Sequence, residues 1–410
     1  MADGKISKSN SALSWQELFL RSSRMVALSI VTLCLTLAGC QSDSDRQSEN
    51  RSSGDGRAGP KDSIELGVNF LTSLQSADGV WRSEYYGNLK QGAATTALVL
   101  FTLAHLQDTV DEWPEAEFAN GMRALQANIL DRGFVTNEDG PDYSNYGSAM
   151  YLLASKEADF YISQEIKSKL VEYLQAAQLD EAAGYENTDR DFGGWDLAGW
   201  ITGQRQTTGT NISVSAAVIE ALSHFSEDAD CLQKADDWLA KCQNSDGGFF
   251  FHPKVDHDGN KAGWSSDDRQ VATSYGTASV DGLRALGYLK ANRDISDDRI
   301  DPACKWITDR VADQKSLQRV PGFTEDHAEG WAMGLRFYYW YSLSRSLELA
   351  FEDEDARQRV ASDLAEQLLA MQNKDGSWQN PNARMREDDP LIATCFALIA
   401  LKHCRQITGD

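Results

Sequence analysis

Residues 67–81 read GVNFLTSLQSADGVW, with Gly67, Phe70, Leu71, Gln75, Gly79 and Trp81 at spacings that recur further along the chain. The physical sense of the stretch is a helix C-terminus followed by a tight turn. Gly79 supplies a backbone conformation that other residues resist, and Gln75 is placed to cap backbone groups near a neighbouring hairpin. Trp81 then packs as a wedge between hairpins. Degenerate copies follow at 238–249, WLAKCQNSDGGF, and at 367–378, QLLAMQNKDGSW. Traces sit at Gln178 with Gly194-Trp195, near Gly133-Phe134 and near Gly322-Phe323.

Working outward, six segments rich in Ala, Gly and aliphatic residues alternate with these turns: GAATTALVLFTLAHL, YGSAMYLLA, VSAAVIEALSHF, YGTASVDGLRALGYL, MGLRFYYWYSLSRSL and ATCFALIALKHC. With Ala97, Ala149, Ala217, Ala278, Leu335 and Cys395 as equivalent points, the spacings are 52, 68, 61, 57 and 60 residues, room for two helices and their loops. Between them run amphipathic segments with charges on one face. Nearly all-apolar helices alternating with amphipathic ones predict an inner ring buried on both sides and an outer ring facing water. Period-two alternation is scarce, so the fold class is all-α.

The stretch at 67–81 matches the QW motif, G-x-x-F-L-x-x-x-Q-x-x-x-G-x-W, and lacks only its leading basic residue, where Leu66 stands. In this the chain resembles the squalene and hopene cyclases and the related repeats of protein prenyltransferase β-subunits. The resemblance spans residues 61–410 and implies a single α/α toroid of about six helical hairpins. The motif is a structural staple, so it speaks for fold far more than for chemistry.

The N-terminus reads differently. Residues 25–39, MVALSIVTLCLTLAG, follow Arg21 and Arg24 and are short of the roughly 20 apolar residues a spanning helix needs. They form a signal-peptide core. The ending Leu37-Ala38-Gly39-Cys40 resembles the bacterial lipobox, which implies a signal peptide at 1–39 and lipid attachment, palmitate included, at Cys40. Residues 40–60 are polar and read as a flexible tether. Gln41 after the cysteine implies, on the same resemblance, anchoring to the outer membrane facing the periplasm.

Removing the first 60 residues leaves 32 Lys+Arg against 56 Asp+Glu, a formal charge of −24. Such a surface repels nucleic acid and anionic headgroups. Cys231 and Cys242, and Cys395 and Cys404, lie in helical-looking segments at separations of about 16 and 13 Å, beyond disulfide reach, so free buried thiols are expected.

Chemistry is expected at the N-terminal ends of the inner helices. Cyclases of the resembled family use an acid in a D-x-D-D motif, which this chain lacks. The nearest matches are Asp267 and Asp268 in SSDDRQVATSYG and Asp388 and Asp389 in REDDPLIAT, with Ser265 and Arg386 where the leading acid would be. These four are the candidate catalytic carboxylates, with helix capping as the competing role. The prenyltransferase zinc set, D-x-C with a distant His, is also missing, so no metal site of that kind is expected. Asp256, Asp258, Asn260 and Asp267 occupy positions 1, 3, 5 and 12 of a loop of calcium-binding length, a poor match because Lys261 stands where Gly is needed. Trp331, Tyr338, Trp340, Trp264 and Tyr275 are the candidate ligand-binding aromatics, suited to cation–π contact with a carbocation or to stacking on sugars.

The resemblance implies a membrane-anchored, exported terpenoid-cyclase-like or prenyltransferase-like protein acting on an apolar isoprenoid. Against it stand the missing motifs, room for one barrel rather than two, and an exported location. A noncatalytic ligand-binding or scaffolding lipoprotein, or a carbohydrate-active α/α barrel with a glycan ligand, therefore remains open beside it, and so does whether the chain is an enzyme at all.

Overall fold

The computed structural model describes residues 59–136, 143–197, 200–201, 204–205, 209–253, 260–264, 271–293, 298–311, 316–323 and 325–409. The expected signal peptide, Cys40 and all but the last two residues of the tether lie outside the described residues. The chain runs through α1 (Pro60–Ser73), α2 (Ala93–His105), α3 (Glu115–Arg132), α4 (Ser144–Glu157) and α5 (Gln164–Ala176). It continues through α6 (Ile212–Phe225), α7 (Ala229–Cys242), α8 (Gly276–Arg293), α9 (Ile300–Thr308) and α10 (Glu325–Gly334). Last come α11 (Arg336–Ser344), α12 (Leu347–Ala350), α13 (Glu354–Met371) and α14 (Pro390–Thr408). Among the described residues the only strands are Trp200–Ile201 and Gln204–Arg205, two residues each and paired antiparallel.

Six helices close a ring: α2 packs on α4, α4 on α6, α6 on α8, α8 on α11, α11 on α14, and α14 back on α2. Every residue of α2 is buried, as an apolar helix packed on two sides requires. The outer helices α1, α3, α5, α7, α9 and α13 bury one stripe each. In α7 that stripe is Cys231, Leu232, Ala235, Trp238, Leu239 and Cys242, while Gln233 and Asp237 face water. The molecule is an α/α toroid, as its sequence pattern predicts.

The joints between hairpins repeat one device. Gln75 donates its amide to the carbonyls of Gly79 (3.0 Å) and Glu117 (2.8 Å) in the next outer helix. Gln178 does the same to Gly193 (2.9 Å) and Cys231 (2.8 Å). Gln243 reaches Gly247 (2.9 Å) and Arg299 (3.1 Å). Gln372 reaches Gly376 (2.9 Å) and, closing the ring, Ser63 in α1 (2.8 Å). The turn glycines Gly79, Gly133, Gly193, Gly247, Gly322 and Gly376 all have φ between 84° and 96°, which a side chain resists. In the third copy the turn residue is thus Gly193, one before the Gly194 that the sequence suggested. The residue two beyond the glycine donates its backbone N–H to a hydroxyl of the following inner helix: Trp81 to Thr96, Val135 to Ser148, Trp195 to Ser215, Phe249 to Ser279 and Trp378 to Thr394, all at 2.9–3.0 Å. Val135, not Phe134, therefore fills the Trp place of the second copy.

The segment MGLRFYYWYSLSRSL departs from a single inner helix, because Leu335 (φ −107°, ψ 9°) separates α10 from α11. Cys231, Cys242, Cys304, Cys395 and Cys404 are free thiols, and burial pushes each one's pKa up.

Candidate functional site

The N-terminal ends of α2 and α14 bring the first part of the site together. Asp389 caps α14, accepting the Leu391 N–H at 3.0 Å, and its other oxygen accepts the Ser83 hydroxyl. Capping, the competing role, is therefore one that Asp389 fills. Burial raises its pKa, partly countered by Ser83. Its neighbour Asp388 is half-buried and accepts the Tyr86 phenol, whose own pKa is raised by burial and by that carboxylate, so it stays a donor. Arg386, held at φ 62°, lays its guanidinium over Tyr86 (5.1 Å) and Tyr143 (5.0 Å).

Glu387 points the other way. Its oxygens accept the N–H groups of Phe337 (3.1 Å) and Tyr338 (2.8 Å), which the break at Leu335 leaves free, and the Asn380 amide (2.8 Å). Burial pushes its pKa up to about 7 against those donors. The third part of the rim is Lys261, whose ammonium lies 3.3 Å from the Phe251 ring centroid and 5.6 Å from that of Trp331, and Arg384, 5.3 Å from the Trp331 centroid. Nearby, Asp191 accepts from His252 Nε2 (2.8 Å) and from the N–H and hydroxyl of Thr210 (2.8 and 2.6 Å). Burial opposes the ionised form of Asp191, but these contacts outweigh it and hold the carboxyl well below the usual range.

Deeper in the barrel, paired charges from α6, α8 and the end of α11 meet. Asp281 accepts from Tyr338 (2.9 Å), Ser342 (2.5 Å) and Arg284 (3.2 Å). Glu220 accepts from Arg345 and from Tyr288 (2.8 Å), and Arg345 also donates to Tyr341 (2.8 Å). Burial would raise the Glu220 pKa, yet Arg345 and Arg284 bring it down. Above this network the rings of Tyr338, Tyr341 and Phe396 contact one another at 5.2–5.6 Å. Tyr146 is half-buried, and burial pushes its pKa well up.

Of the expected site residues, Asp388, Asp389 and Trp331 belong to the rim just described, while the Tyr338 phenol reaches down to Asp281. Trp340 is fully buried with its indole donating to the Leu317 carbonyl (3.0 Å), and Tyr275 is 1% exposed with its ring edge on Phe323. Both serve packing between elements. Trp264 is half-buried and bridged to Ala272. Asp267 and Asp268 lie outside the described residues, as do Asp256 and Asp258. Asn260 uses its side-chain oxygen on the His252 N–H and its amide on the His252 carbonyl, both at 3.1 Å, a loop-pinning role. Sequence reasoning missed Glu220, Asp281 and Arg284, although single charges within apolar helices were a visible signal. It also missed Glu387, and treated Lys261 only as a mismatch in a calcium loop.

No protein-family model and no curated protein sequence matches the chain. Solved structures do. The type II terpene cyclase MstE from Scytonema has 16% identity and a TM-score of 0.55, over 85% of this chain and 99% of that one. An inactive variant of the α-1,6-mannanase GH76A from Salegentibacter sp. HEL1_6, with two adjacent aspartates changed to asparagine and α-1,6-mannotriose bound, has 14% identity and a TM-score of 0.55, over 85% and 100%. A protein from Actinoplanes has 16% identity and a TM-score of 0.52 over 84% and 99%. At such identities the likeness is one of fold, the α/α toroid that this chain shares with a terpene cyclase and a glycoside hydrolase.

Proposed function

We propose that the barrel binds a saccharide at the N-terminal mouth of its inner ring and hydrolyses it with the Asp388–Asp389 pair. The observation that carries this is the pair itself. One carboxyl is half-exposed and hydrogen-bonded to Tyr86, and the adjacent one is buried with a raised pKa. Two carboxyls in unlike environments suit the division into base and acid that glycoside hydrolysis needs. The two aspartates changed in the inactive mannanase variant are likewise neighbours in sequence. Aromatic rings and hydrogen-bonding side chains around the pair fit the alternating apolar faces and hydroxyls of sugars. The barrel below argues against a long polyene, because buried ion pairs of Asp281 and Glu220 with Arg284 and Arg345 stand where an apolar chain would have to lie.

The terpenoid-cyclase-like reading keeps one observation in its favour, the ring cluster of Tyr338, Tyr341 and Phe396. Incubating the purified chain with a panel of oligosaccharides, mannans included, and counting new reducing ends separates the two. Activity is expected, and Asp388→Asn and Asp389→Asn are each expected to lower it by about 100- to 10,000-fold. Asn caps helices as well as Asp does, so Asp389→Asn keeps α14 anchored. Undiminished turnover in both variants, or cyclisation of an isoprenoid without any glycan cleavage, would overturn the proposal. We propose in addition that the chain is a lipoprotein held in the outer membrane by Cys40. Mass spectrometry of the mature N-terminus is expected to show acylated Cys40, and a Cys40→Ser chain that still sediments with membranes would refute the anchor.

A further inference from the structure

Lys261 is 8% exposed, and among the described residues its ammonium has no hydrogen-bond or ion-pair partner. It rests instead on the Phe251 ring, with Trp331 beside it. Phe251 is tied to the start of α6, whose Ile212 N–H donates to its carbonyl (3.1 Å), and Trp331 belongs to α10. Lys261 therefore stands where two inner segments open, at the mouth already described.

An ammonium so placed is costly, since burial strips most of its hydration and an aromatic face replaces only part of what is lost. Asp281 attracts it from a distance, but that carboxylate is already engaged by Tyr338, Ser342 and Arg284. Burial, the largest influence, pushes the Lys261 pKa down to about 7 despite Asp281. The ammonium is thus under-compensated. Arg384 and Arg386 add two more cations at the rim, each stacked on aromatic rings, in a chain whose formal charge is −23. These cations share the rim with the carboxylates of Asp388, Asp389 and Glu387, which already accept hydrogen bonds from Tyr86, Ser83 and backbone N–H groups, so the charge at Lys261 is placed to draw an anion.

We infer that Lys261 is the counter-ion for a carboxylate on the ligand, so that the mouth takes an acidic compound, a uronic-acid saccharide if the saccharide reading holds. A ligand carboxylate would supply the charge-assisted hydrogen bonds that the ammonium lacks. The inference rests on that reading for the sugar, not for the carboxylate.

Calorimetry on the purified full chain tests it with three probes: an oligogalacturonate, its neutral galactose counterpart, and a long-chain fatty acid. The oligogalacturonate is expected to bind roughly 10-fold or more tightly than the neutral sugar, and Lys261→Met to bring it down to the neutral sugar's level. Fatty-acid binding that depends on Lys261, with neither sugar bound, would uphold the carboxylate assignment and refute the saccharide reading. A neutral sugar that binds as well as the acidic one would refute the assignment and leave the saccharide reading standing. Acid binding that survives Lys261→Met also overturns it, and Lys261→Arg, which keeps the charge, is expected to retain part of the preference.

Discussion

Gly376→Ala is expected to destabilise the domain by about 3–5 kcal/mol, the sum of a left-handed backbone strain and a forced displacement of packed backbone. Gly376 has φ 89°, and a Cβ there would lie 2.2 Å from the Leu66 carbonyl oxygen and 2.5 Å from its carbon. Neither atom is the movable end of a side chain. The contact belongs to the closing joint, where the last turn meets the first outer helix and Gln372 bonds to Ser63. Gly133 provides the comparison, since it has φ 87° but nothing within 4 Å of its added Cβ. Gly133→Ala is expected to cost only the dihedral strain, about 1–2 kcal/mol. Urea unfolding of the two variants checks this. Equal losses would show that close approach at the closing joint contributes nothing.

Arg345→Met carries the second large effect, an expected loss of about 3–5 kcal/mol, because it leaves Glu220 charged and buried with one cation fewer. Glu220 and Arg345 are both buried within the barrel, and the remaining cation, Arg284, reaches Glu220 only at 3.8 Å. The methionine also gives up the bond to Tyr341. Replacing Glu220 by Leu in the same chain removes the orphaned carboxylate and is expected to restore part of the loss, as a coupled pair should. Chemical denaturation of the single and double variants decides it. A loss below about 1 kcal/mol for Arg345→Met, of the size seen for surface pairs, would mean that the network is not what holds the lower barrel.

The architecture was legible because its signals are local. Apolar helices such as 93–105 against striped ones such as 229–242 reveal two rings, and Gln, Gly and Trp at fixed spacing reveal the joints. The charged centre was not legible, because Glu220 and Arg345 are 125 residues apart and their pairing depends on ring closure. Glu387 was hidden for a related reason. Its role depends on the break at Leu335, which nothing in the run RFYYWYS announces, since propensity there favours neither a helix end nor its continuation. At the mouth, Asp388 and Asp389 were found by their position before an inner helix, whereas Lys261 and Phe251 come together through loops whose course the sequence pattern does not fix.

The bond from Gln372 to Ser63 closes the ring with the same device that Gln75, Gln178 and Gln243 form at three other joints. Open arrays of repeats lose order stepwise from their ends, where a repeat has one neighbour instead of two. Here no hairpin is terminal, so each is held on both sides and fraying has nowhere to begin. Releasing any one hairpin means parting two joints together, which binds the whole ring into a single cooperative unit despite its modular origin.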